Sequence, residues 1–232
     1  MIRLYVASPL AEGTRVAATP TQAHYLGTVM RLGSGDSVYL FNGVDGEWEA
    51  RIDSFARGKA TLAAVRHVRT QASEPDLWLL FAPLKRDMTD LLVQKATELG
   101  ASAMLPITTE RTNTGRINRE RLTAIATEAA EQSERLTVPV VYPLRRLGDV
   151  LRDWSDQRRL FVALERDRLQ PPPPVRAPAA LLVGPEGGFG PNDRALLSRS
   201  NFICPISLGP RILRAETAAI VGLALLQRPV CG

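Results

Sequence analysis

From residue 77 onward the sequence alternates short apolar runs with segments of helical spacing, and this rhythm restricts the fold more than any other property of the chain. The runs lie at 77–81, 104–107, 160–164, 180–183 and 203–208. Runs such as 160–164 and 180–183 are apolar almost throughout rather than at every second residue, which predicts strands covered on both faces. Between them, Asp87 caps a helix with Leu91, Leu92, Lys95, Ala96 and Leu99 on one side, ended by Gly100. Asn118 caps a longer helix through Arg135, stopped before Pro139, and 216–227 forms a strongly apolar last helix. Strand and helix in alternation predict an α/β domain, a parallel sheet with helices on both faces. The four prolines at 171–174 predict a stiff, exposed connector between two of its strands. No internal repeat is visible.

The first 70 residues follow a different rule. Strand-like runs at 4–6, 37–41, 47–52 and 60–65 are separated by turn chemistry at 33–36, 42–46 and 57–59. In 47–52, Trp48, Ala50 and Ile52 alternate with Glu47, Glu49 and Arg51, the pattern of a half-buried strand. One helix, capped by Thr21, interrupts them. Short strands closing around one helix predict a small barrel. The polar stretch 71–76 separates a first domain, 1–70, from a second, 75–232.

Composition narrows the class. Hydrophobic residues make up 45% and charged residues 23% of the 232, which excludes dominant disorder. No apolar run approaches the roughly 20 residues of a membrane span, and the N-terminal run is too short for a signal peptide. The expectation is a soluble cytoplasmic protein with no membrane association. Lys and Arg number 29 against 24 Asp and Glu, a net charge of +5 that suits a polyanionic partner and equally a genome rich in Arg codons. Cys204, Cys231, His24 and His67 have no zinc spacing, so neither a metal nor a disulfide is expected.

Two glycine-bearing loops carry the chemistry. One is Gly184-Pro185-Glu186-Gly187-Gly188-Phe189-Gly190-Pro191; the other is Leu208-Gly209-Pro210-Arg211-Ile212-Leu213-Arg214-Ala215-Glu216-Thr217-Ala218. Each follows a predicted strand, where open parallel sheets bind ligands. Neither matches a Walker or dinucleotide fingerprint, so ATP and NAD are weakly supported. A pair of tight structural turns would read the same way.

These loops, with Lys85, Gln94-Lys95-Ala96-Thr97-Glu98-Leu99-Gly100, Thr109-Glu110-Arg111 and Glu128-Ala129-Ala130-Glu131-Gln132-Ser133, resemble the SPOUT class of methyltransferases. Within it the chain is most similar to the bacterial 16S ribosomal RNA uridine-N3 methyltransferase family. His24-Tyr25-Leu26, Met30-Arg31-Leu32 and Phe41-Asn42-Gly43 extend the likeness to the N-terminal part. The resemblance implies a small PUA-like β-barrel that binds RNA, and a SPOUT α/β domain with a trefoil knot whose cofactor loops span about 180–218. It implies S-adenosyl-L-methionine as cofactor, a homodimer, and a decoding-region uridine of 16S rRNA in the 30S subunit as substrate. Another SPOUT enzyme acting on ribose 2′-oxygen, or a non-catalytic assembly factor, are the alternatives.

The matching cofactor positions are Val183, Gly184, Gly188, Leu208, Gly209, Ile212 and Leu213. Ile212 and Leu213 would wall the adenine, or else pack under the last helix. Removing the uridine N3 proton leaves charge on two ring carbonyls, which a cation stabilises. Arg214 is the first candidate and Arg211 a second, with Arg111 behind them; an ion pair of Arg214 with Glu186 or Glu216 is the competing role. No residue stands out as the base. His24, Arg31, Lys85, Lys95, Arg111 and Arg135 are the candidate RNA contacts. The helix face formed by Glu128, Glu131, Gln132 and Arg135 either meets solvent or lines a cleft or dimer contact.

Overall fold

The computed structural model describes residues 1–56, 58–164 and 178–227. The prolines at 171–174 and Cys231 lie outside them. The chain divides into two units: Met1–Ser73 with Ala130–Val138, and the remainder from Glu74.

In the first unit, strands β1 (Arg3–Tyr5), β2 (Arg15–Ala17), β3 (Ser37–Phe41), β4 (Glu47–Ala56) and β5 (Lys59–Arg69) form one sheet in the order β1-β3-β4-β5-β2. β1 runs parallel to β3 and the other pairs are antiparallel. Its core gathers Leu4, Val16, Leu26, Val38, Leu40, Ile52 and Leu62. Helix α1 (Pro20–His24) runs into a π-helical turn, Tyr25–Val29. Thr19, not Thr21, caps α1: its hydroxyl accepts from Gln22 N at 3.2 Å while Gln22 Oε1 accepts from Thr19 N at 3.0 Å. The reciprocal box needs Gln three residues on, which only Thr19 has.

Glu47 departs from its expected solvent face. Register shifts along β4 and β5 accompany its burial, and its carboxylate meets Arg3 Nε at 2.6 Å and Arg69 Nε at 2.8 Å. Arg3 lies over the Phe41 ring and donates to the carbonyls of Ala130, Glu131 and Arg135. Ala130–Val138, expected in the second domain, groups with the first unit, where Ala130 and Leu136 pack on Phe41, Tyr5 N donates to Glu131 Oε1 at 2.8 Å and Arg69 Nη2 donates to Glu134 O at 2.8 Å. Arg135 is consequently 8% exposed, its carbonyl held by Arg3 and its Nη2 donating to Thr137 Oγ1 at 3.1 Å. Its expected role as a surface RNA contact gives way to packing.

The second unit carries β6 (Leu77–Phe81), α2 (Arg86–Glu98), β7 (Ala103–Thr108), α3 (Arg119–Gln132), β8 (Val140–Val141), β9 (Arg145–Arg146), α4 (Leu147–Arg152), β10 (Arg159–Ala163), β11 (Ala179–Val183), α5 (Pro191–Leu197), β12 (Ile203–Ile206) and α6 (Ala215–Leu226). Only the last turn of α3 belongs to the first unit. Every strand pair is parallel, in the order β12-β10-β11-β6-β7-β8, with β9 also on β7. Alternate residues serve opposite faces. Leu80, Leu105, Val162 and Leu182 pack with Leu147, Val150 and Leu197 of α4 and α5. On the other face α6 packs on α2, β11 and β6. A Cβ at Gly222 of α6 would press into Leu181, so glycine permits that approach. Asp87 sits in the first turn of α2 with Lys85 at the cap position, and α3 ends at Gln132 rather than Arg135. Asn118 does accept from Arg121 N, at 2.9 Å.

Asp76, just before β6, pairs with Arg158, whose guanidinium stacks 4.2 Å over Trp78, and accepts from Ser102 Oγ at 3.1 Å. The Arg158 hydrogen bond, and secondarily its charge and the Ser102 and Trp78 donors, hold the Asp76 carboxyl below its ordinary value of 3.8 against the opposing effect of burial. A lowered folded-state value stabilises the fold above the ordinary value and loses that contribution as pH falls through the lowered one. Asp76→Asn should therefore cost up to about 1 kcal/mol in urea unfolding at pH 7, because half-exposed pairs are weak, and the difference should shrink as acid protonates the carboxylate.

Candidate functional site

Both glycine loops leave the carboxyl edge of the parallel sheet. β11 and β12 are separated only by β10, so their ends lie about 10 Å apart. After β12, at the sheet edge, the chain must return to α6 under β11 and β6. Residues 207–214 therefore cross the carboxyl edge toward residues 184–190. β6 and β11 are neighbours whose chain connections lead in opposite directions through the sheet. This is the switch point where open α/β sheets leave a crevice.

The second loop is open. Gly209 has φ +118° with nothing within 4 Å of a built Cβ, a backbone that L side chains rarely adopt. Ser207 Oγ accepts from Gly209 N at 3.3 Å and holds the bend. Ile212 is 61% exposed, while Leu208 and Leu213 are half-buried. Core packing is thus not the role of Ile212. An exposed isoleucine beside half-buried leucines and bare backbone suits a flat apolar ring with polar edges. Arg211 and Arg214 are both exposed, and Arg214 directly precedes α6. Among the described residues Arg214 has no ion pair; Glu186 is exposed on the other loop and Glu216 lies buried in the first turn of α6.

The first loop is held rather than open. Gly184 packs on Phe189, whose ring lies 3.1 Å from a built Cβ, and Gly188 turns at φ +68° with its N–H donating to Pro185 O at 2.8 Å. Val183 is buried at the end of β11. The restraint comes from beyond the end of β7. The Glu110 carboxylate accepts from Asn192 N at 2.9 Å, Asp193 N at 3.4 Å and Asn192 Nδ2. The Asp193 carboxylate, 4% exposed as a residue, accepts from Gly190 N at 3.0 Å and Glu110 N at 3.1 Å. Arg111 Nη1 donates to Gly187 O at 2.6 Å.

Comparison with known proteins agrees with this layout. The RNA methyltransferase domain model matches residues 72–227, and the RNA methyltransferase PUA domain model matches 19–62. A ribosomal RNA small subunit methyltransferase E of Rickettsia conorii is 34% identical, covering 96% of this chain and 93% of its own. The chain belongs to the ribosomal RNA small subunit methyltransferase E family. A Neisseria gonorrhoeae member, crystallised bound to S-adenosyl methionine, superposes with a TM-score of 0.83 at 28% identity, covering 98% of this chain and 97% of that one. A putative methyltransferase from Legionella pneumophila, in complex with the bound cofactor SAM, gives 0.84 at 29% identity over 97% and 96%.

In this methyltransferase E chain the expected cations fall into separate groups. Lys85 is exposed where β6 leads into α2, beside the switch point, and Arg111 is exposed beyond β7 with one nitrogen on the first loop. Lys95 lies along α2 with its ammonium on Glu98 at 2.8 Å, which takes much of its charge from a phosphate. His24 and Arg31 are exposed in the first unit, flanking the π-helical turn with its exposed Tyr25, Val29 and Met30. Sequence reasoning gave Glu110 and Asp193 no role. Gly190-Pro191 followed by Asp193 is a legible capping pattern, but Glu110 has no local signal.

A Cβ at Gly190 would run into the Glu110 carboxylate and Cβ. Gly190→Ala should break that contact and cost about 1–3 kcal/mol, the usual penalty for overfilling a packed site. Chemical denaturation against the wild type measures it.

Proposed function

We propose that this chain transfers the methyl group of S-adenosyl-L-methionine to N3 of a uridine in 16S rRNA of the small ribosomal subunit. The observation that carries the reading is the carboxyl edge of the second sheet: two glycine loops near each other, an exposed Ile212, and a rim of exposed cations, Lys85, Arg111, Arg211 and Arg214. The family membership and the cofactor seen in its solved members support it.

The residues present fit the cofactor. Bare backbone at Gly188 and Gly209 admits a ligand closely, Val183 and Gly184 form the floor at the end of β11, and Leu208, Ile212 and Leu213 wall the adenine. When bound, the cofactor supplies an electrophilic methyl carried on a sulfonium. The protein's work is to set donor and acceptor in line and keep them there. Arg214, without an ion pair among the described residues, would set its guanidinium where the uracil carbonyls gain charge as N3 releases its proton to solvent, and Arg211 would reinforce it. The first turn of α6 adds partial positive charge at the same spot. Lys85, Arg111, His24 and Arg31 contact the RNA; Lys95 is the weaker candidate and Arg135 is withdrawn. The passage of 207–214 across the sheet edge before α6 fits a trefoil knot, and the bulged first sheet fits a PUA-like barrel. The enzyme acts in the cytoplasm as a homodimer.

Calorimetric titration with S-adenosylhomocysteine tests the cofactor site. Wild type should bind with a stoichiometry near one per chain or per dimer, and Gly209→Val should lose binding because its side chain fills the ligand space. Normal affinity in Gly209→Val moves the site elsewhere. On 30S subunits lacking the methyl group, Arg214→Ala should retain the fold and cofactor affinity while turnover drops by about 100-fold, the scale of losing one preorganised donor. Unchanged turnover removes Arg214 from the chemistry; product methylated on ribose instead of the base selects the 2′-O reading.

A further inference from the structure

We infer that Glu110 is a positioning residue: with Asp193 it latches residues 184–190 in the shape that receives the cofactor. This rests on the cofactor reading above. Glu110 lies beyond β7, whereas residues 184–190 follow β11, and β6 runs between those strands. Local bonds shape its ends, Gly188 N to Pro185 O and Gly190 N to the Asp193 carboxylate, and four hydrogen bonds between the Glu110 segment and residues 192–193 tie it across the intervening strand.

The arrangement is reciprocal. Glu110 accepts from the backbone of Asn192 and Asp193, and Asp193 accepts from the backbone of Gly190 and of Glu110 itself. Each segment thus supplies the acceptor for the other's otherwise unpaired N–H groups. Bonds to an ionised acceptor are the strong ones, and Asp193 is buried where an unpaired N–H is costly. Glycine at 190 leaves the room the Glu110 carboxylate occupies. Arg111 adds a third tie, to Gly187 O. What remains between the ties is the stretch containing Gly187, Gly188 and Phe189, with Phe189 packed on Gly184 at the end of β11. The latch acts on the floor of the proposed cofactor site without touching the apolar wall at 212 and 213.

A latch of this kind separates cofactor binding from the other steps. Glu110→Ala should raise the dissociation constant for S-adenosylhomocysteine about tenfold, the effect of losing one charged hydrogen-bond network. It should raise KM for S-adenosyl-L-methionine alike, with kcat at saturating cofactor and KM for the 30S subunit little changed. Glu110→Gln, which keeps an acceptor for Asn192 N, should recover most of the affinity. Hydrogen exchange without ligand should show faster exchange across 184–193 in Glu110→Ala and unchanged exchange in β6. Asn192→Ala, at an exposed side chain, serves if Glu110→Ala does not fold, and should shift both readouts less in the same direction. A Glu110→Ala protein that binds S-adenosylhomocysteine as tightly as wild type overturns the latch and leaves the cofactor reading intact. Wild type that binds no S-adenosylhomocysteine overturns the cofactor reading and the latch with it.

Discussion

A parallel sheet buried on both faces has only its strand ends left to offer a ligand. In the second unit α4 and α5 close one face, α2 and α6 pack over the other, and the core strands keep almost no exposed side chain. Chemistry is confined to the carboxyl edge, and every feature of the proposed site follows from that confinement. The loops are glycine-bearing because backbone must turn sharply there, with positive φ at Gly188 and Gly209. Lys85, Arg111, Arg211 and Arg214 stand at that edge, whereas Lys95 lies along α2 and His24 and Arg31 belong to the first unit.

The two loops solve different problems. Residues 207–214 must cross from an edge strand to a helix beneath β11 and β6, so they stay long, open and partly apolar, with Ile212 left facing outward. Residues 184–190 lead into α5, and two carboxylates fix them in place. A held floor beside an open wall is a reasonable division for a site that must release its product at each turnover.

The first unit depends on a buried charge. Arg3 joins Glu47, the Phe41 face, two carbonyls in the last turn of α3 and the carbonyl of Arg135 beyond it. Breaking one partner of such a cluster is costly because the other is left unpaired in the interior. The same contact explains two departures from the sequence reading, the inward turn of Glu47 and the burial of Arg135. Both residues carry charges, and alternation or helical spacing assigns charges to the surface unless a distant partner is known.

The sequence by itself determined the α/β class of the second unit, the strand-rich character of the first and the two loops, because all are written in local periodicity and turn chemistry. The short strands β2, β8 and β9 and the small helix α4 escaped it, being too brief for a period to show. Only the tertiary structure decided that a single strand separates the two that carry the loops, that Ile212 faces out, and that Glu110 meets Asp193. Those facts depend on strand order and on partners some 80 residues apart, and no local pattern encodes a pairing whose two halves become neighbours only when the sheet is assembled.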